Sequence, residues 1–174
     1  MILDIARLFF FPALMVFAAA SDLLTMTISN RISLLLVAGF AVLAMIGGMT
    51  GAELVQHGAA GLIVLAVSFF FFAMGWIGGG DAKIASAAAL WLGLPHLLDY
   101  LLAASLFGGA LTFLLLQFRL WPLPYIFVNQ AWLVRLHIKD ADIPYGIALA
   151  LGALLIYPDT RWIASVDLSH FVFH

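Results

Sequence analysis

Nine acidic side chains occur in the chain, and two are placed unlike the rest. Asp4, Glu53, Asp99, Asp159 and Asp167 fall near the ends of apolar segments or in outer loops, and Asp140 and Asp142 sit in a loop beside Lys139. Solvated loop charge explains all of these. Asp22 and Asp81 are instead flanked by apolar sequence of helical length. Two carboxylates brought together cannot both be ionised at low cost, so the pair shares a proton and titrates as a pair. Such a pair activates water. The ionised member takes a proton from water as it attacks a peptide carbonyl, and the protonated member donates to the carbonyl oxygen.

Each aspartate also has a plain reading. Asp22 follows the first apolar segment directly, where a carboxylate snorkels or caps a helix end. That end of a helix is the negative end of its dipole, which disfavours an acid and hints at function. Asp81 follows Gly78-Gly79-Gly80 and opens an alanine-rich helix, so it reads as a cap. Capping does not account for three successive glycines, which are poor helix formers and allow close approach of another chain.

The elements that position these acids follow from composition. The chain is 66% hydrophobic and 9% charged, with a mean hydropathy of +1.16. A soluble domain is nearer half apolar and a quarter charged, so lipid must solvate most of this surface. Backbone groups in hydrocarbon must pair internally, which makes the apolar runs helices. Six are expected, at roughly Ile2 to Ala20, Ile32 to Met49, Gly58 to Ile77, Ala82 to Leu92, Tyr100 to Phe118 and Ile143 to Tyr157. The fold class is therefore an all-α polytopic membrane bundle of about six transmembrane helices at roughly 20 residues each. The first run also resembles a signal peptide, with Arg7 and Ala18-Ala19-Ala20, but Asp4 weakens its basic bias.

Alternating six spans puts Arg31, Lys83, Arg119, Arg135 and Lys139 on one side and only Arg7 and Arg161 on the other. The richer side is expected to be cytoplasmic. Asp22 and Asp81 both fall at that edge. Arg119 to Asp142 carries two prolines with Trp121, Tyr125 and Trp132, and reads as a cytoplasmic loop with a short helix on the headgroups. The final residues, with Trp162 and Phe171, are expected on the opposite surface.

Gly78-x-Gly80-Asp81 resembles the GxGD signature of membrane aspartyl peptidases. Within these, Gly78 to Lys83 and the following run to Trp91-Leu92-Gly93 resemble the type IV prepilin peptidases. Asp22 followed by Ile28-x-Asn30 matches their first motif. Trp132 to Leu136 and Ile143 to Ala148 resemble the CpaA/TadV-like branch, which processes pilins of the tight-adherence (Flp) pilus. The resemblance implies a hydrolase of the bacterial inner membrane with Asp22 and Asp81 catalytic. It cuts a prepilin, or pseudopilin, after a glycine that ends a short basic leader. The larger, bifunctional relatives carry a cytoplasmic domain associated with N-methylation. Only a short loop separates the first two spans here, so residues 1–174 are expected to be one peptidase domain without a separate methyltransferase domain.

The supporting residues divide. Gly78 and Gly80 are motif glycines. Lys83 is either a positive-inside residue or a partner steadying the charge of the pair, and Asn30 caps the second helix or touches substrate. Phe69 to Phe72 read as lipid-facing or packing bulk, and Gly108-Gly109 as helix packing. Cysteine is absent, and His57, His96, His137, His170 and His174 are scattered without ligand spacing, so neither metal nor cofactor is expected. With a net charge of −2 and no basic stripe, nucleic acid is not an expected partner. The rival function is a transporter or channel subunit that handles ions or protons on the two aspartates. That role favours acids near the midplane and an inverted repeat, and neither is visible.

Overall fold

The computed structural model describes residues 1–139 and 141–166. Among these there are eight α-helices and no strand: α1 (Ile2–Thr25), α2 (Asn30–Ile46), α3 (Gly51–Ala73), α4 (Gly79–Leu92), α5 (Leu97–Leu120), α6 (Ala131–His137), α7 (Tyr145–Ile156) and α8 (Arg161–Ala164). Four stretches are long and apolar enough to cross a membrane: Ile2–Thr25, Gly51–Ala73, Leu94–Leu120 and Tyr145–Ala164. The chain is thus an all-α polytopic membrane protein. The two other expected spans, α2 and α4, are shorter, at 17 and 14 residues. A short helix suffices for α4 because it lies inside, packed against α2, α3 and α7. Ala82, the run Ile84 to Ala89, Trp91 and Leu92 are all buried.

The helix ends differ from the apolar runs for local reasons. α1 continues past Ala20 through Asp22, because Thr25 Oγ1 donates back to the Ser21 carbonyl (2.7 Å) and the helix stops only at Met26, at φ 55°. α3 starts before its apolar run. Thr50 caps it, and the Glu53 carboxylate returns to the Thr50 N–H (2.8 Å) in a capping box.

Trp91 closes α4 at the centre of the core. Its indole N–H donates to the Leu36 carbonyl (2.9 Å), and its own carbonyl accepts from Trp162 Nε1 (2.7 Å). Trp162, expected on the membrane surface, is therefore a core residue at 2% exposure. The turn at Tyr157–Asp159 brings α8 back over the bundle, where Trp162 packs against Trp91, Phe40 and His57. His57, on α3, belongs to this core, with Nδ1 against the Leu90 carbonyl (2.8 Å). Phe69 to Phe72 face outward, the placement expected of lipid-facing bulk. Asp140, Asp167, His170, Phe171 and His174 lie outside the described residues.

The two ends of the bundle are distinct. At one end Arg161 pairs with Glu53, and Arg7 reaches the Ser165 carbonyl (3.2 Å). The other end gathers the α1–α2 turn, the start of α4 and the loop from α5 to α7. That loop contains the expected short helix, α6, with Trp121 and Tyr125 exposed.

Candidate active site

Asp22 and Asp81 line one cavity of about 740 Å³, walled also by Met26, Gly75 to Gly78, Ala85 and Tyr145. Asp22 is buried in the last turn of α1, at the unfavourable end of that helix. α7 offsets this. The Gly146 N–H, in the first turn of α7, donates to Asp22 Oδ2 (2.8 Å), so the carboxylate also faces the favourable end of a second helix. A hydrogen bond to a charged group contributes about 1.5–3 kcal/mol.

A glycine is required at the donor position. A Cβ on Gly146 would lie 2.8 Å from Asp22 Oδ2 and 2.8 Å from Ile28 Cδ1. Ile28 also packs on the glycine that precedes the other aspartate, since a Cβ on Gly80 would lie 3.2 Å from Ile28 Cβ. The turn carrying Ile28 is held by hydroxyls: Ser21 Oγ donates to the Thr27 carbonyl (2.9 Å), and Thr25 Oγ1 meets Thr27 Oγ1 (2.8 Å). One isoleucine therefore sits between the glycine before Asp81 and the glycine that holds Asp22.

Asp81 is not the cap of α4. Gly78 occupies the N-cap position, Gly79 and Gly80 open the helix, and Asp81 is its third residue. Its Oδ2 lies back over Gly78, 3.1 Å from where a Cβ would be. A carboxylate in a first turn gains about 0.3–1 kcal/mol from the dipole. Withdrawing an ion from water costs several kcal/mol. Helix stability alone therefore does not explain two acids in one cavity. The chain break lies three residues before the glycine run: Gly75 has φ 75°, whereas Gly78 sits at φ −71°.

Two supporting residues point elsewhere. Lys83 Nζ donates to Asn30 Oδ1 (2.7 Å), and both line a separate apolar cavity of about 610 Å³ between α2, α3 and α4. Asn30 does not cap α2. Ser29 does, accepting from the Arg31 N–H (3.3 Å). Among the described residues no three acidic or histidine side chains gather as a metal site.

Two cavity residues were read from sequence as plain loop charges. Asp142 lines the same cavity and is exposed. Arg119 also borders it, but is buried, with its guanidinium on four backbone carbonyls. Tyr145 forms part of the wall through its fit on α5: a Cβ on Gly108 would lie 2.7 Å from its ring, and its hydroxyl meets Thr112 Oγ1 (3.2 Å). The packing role expected of Gly108 is thus toward a cavity residue.

The sequence model of the type IV leader peptidase family matches residues 9–113, well over half of the chain. The match includes both aspartates and ends before α6 and α7. No curated protein and no solved structure matches the chain.

Proposed function

The chain belongs to the type IV leader peptidase family, whose members are aspartic-type hydrolases of prepilins, and from that premise we propose that Asp22 and Asp81 are its catalytic pair. Family membership sets aside the transporter reading. The observation that carries the assignment is that the two aspartates, from α1 and α4, line one cavity.

Water held between the carboxylates attacks the scissile carbonyl. We assign Asp22, which accepts the Gly146 N–H, as the acceptor of the water proton. Asp81 then carries the proton that goes to the carbonyl oxygen. The attack adds water across one peptide bond, giving a new carboxylate on the leader and a new amine on the mature chain. Residues 1–174 act as one peptidase domain, since α5 and α7 complete the wall of a cavity whose acids come from α1 and α4. Gly78 and Gly80 serve by close approach at the start of α4.

The substrate we propose is an Flp-type prepilin or pseudopilin, cut after the glycine of a basic leader. Its apolar helix lies in lipid and its junction reaches the cavity. The CpaA/TadV-like assignment is supported by two segments beyond the family match. Trp132 to Leu136 fall in α6, and Ile143 to Ala148 lead into and open α7, which supplies Gly146. Cleavage on the cytoplasmic face of the bacterial inner membrane is supported by the five basic residues at the aspartate end against two at the other.

The test is incubation of the detergent-purified protein with an Flp-type prepilin and mass analysis of the product. The expected product has lost a leader ending in glycine. An intact substrate, alongside processing of a prepilin from another pilus class, would contradict the Flp assignment.

A further inference from the structure

Arg119 is the last basic residue of α5 and, at 8% exposure, among the most buried charges described. Its Nε donates to the Leu136 carbonyl (2.8 Å) and its Nη1 to the Lys139 carbonyl (3.2 Å). Its Nη2 serves the carbonyls of Ala141 (2.9 Å) and Asp142 (3.2 Å). Four carbonyls thus draw on the five N–H donors of one guanidinium. A basic residue is favourable at any helix C-terminus, but that accounts for the charge and not for this fork.

The segment so held leads directly into the site. Asp142 and Ile143 line the aspartate cavity, and Tyr145 and Gly146 begin α7. The same short stretch therefore runs from the carbonyls on Arg119 to the N–H on Asp22.

We propose that Arg119 is a positioning residue for the hydrolysis: by holding the carbonyls of Leu136, Lys139, Ala141 and Asp142 it fixes the start of α7, and with it the Gly146 donor that orients Asp22. Arg119 lies beyond the residues matched by the family. The inference rests on the assignment of Asp22 as catalytic, and its test separates the two. A lysine keeps the charge but offers a compact donor group that cannot span four carbonyls. A role through charge alone would survive Arg119→Lys; a role through the fork would not.

The experiment measures prepilin cleavage by Arg119→Lys and Arg119→Gln, per folded molecule, with Asp22→Asn alongside. Both Arg119 variants are expected to lose kcat by roughly 10- to 100-fold, the scale of a small misplacement. KM should stay within about twofold, since ground-state binding is not what the fork supplies. Amide hydrogen exchange on Arg119→Lys gives a second measurement, which needs no turnover. Exchange should rise at Gly146 and leave α4 unchanged. Parental kcat in either Arg119 variant, or faster exchange spread evenly over the bundle, would overturn the proposal. Turnover by Asp22→Asn would instead overturn the catalytic assignment beneath it.

Discussion

Asp22 lies where its own helix opposes a negative charge, and a second helix supplies the donor that permits it. The Gly146 N–H comes from 124 positions further along the chain. Gly146→Ala keeps that N–H but places a methyl 2.8 Å from the oxygen it serves, so either Asp22 or Ile28 must move. The expected result is a fall in kcat of roughly 100-fold, in protein that still folds, measured as turnover per folded molecule. Unchanged turnover would mean that this hydrogen bond does not set the geometry of Asp22. The aspartates themselves were legible in the sequence, because an acid within apolar surroundings needs a reason. Arg119 and Asp142 were not. Asp142 stands in a polar loop sequence where charge is ordinary, and Arg119 at the end of an apolar run where a basic residue is ordinary; only the folded path of residues 136–139 and 141–146 brings them together at the cavity. The Pro144-Tyr145-Gly146 segment was visible as a motif, yet its contact with Asp22 was not, because it is a tertiary contact between distant elements.

Helices were legible as elements because apolar runs in lipid have few alternatives. Their ends were less so, since hydroxyls and glycines set them locally. The Ser21–Thr25–Thr27 hydroxyl bonds carry α1 through Asp22, and the Thr50–Glu53 box starts α3 ahead of its apolar stretch. The glycine run shows the same limit. Composition marks a break near Gly78 to Gly80, but the left-handed residue is Gly75, and Gly79 and Gly80 are already helical. What Gly80 provides is room for Ile28, so the first motif packs directly against the second. Trp162 reads as an interfacial aromatic by type and position. Its burial follows from the return of α8 onto Trp91, a fold-back that periodicity does not encode.

At the scale of the molecule, charge divides the two ends: Arg31, Lys83, Arg119, Arg135 and Lys139 share the aspartate end, and Arg7 and Arg161 the other. Because the chain has no cysteine, single cysteines report this directly. Cysteines at Glu53 and Asp159 should react with an impermeant thiol reagent added outside intact cells, and one at Gln130 should not. The reverse pattern would turn the protein over and move cleavage to the opposite face.

The proposed catalytic pair is tested by turnover of a prepilin by Asp22→Asn and Asp81→Asn, each purified and shown to be folded. Each substitution changes one oxygen to an amide nitrogen, so packing is nearly preserved while proton exchange is lost. Neither variant is expected to release a shortened product under conditions where the parent processes all of its substrate. Substantial cleavage by either one would remove that aspartate from the chemistry and contradict the account of the cavity as a two-carboxylate site.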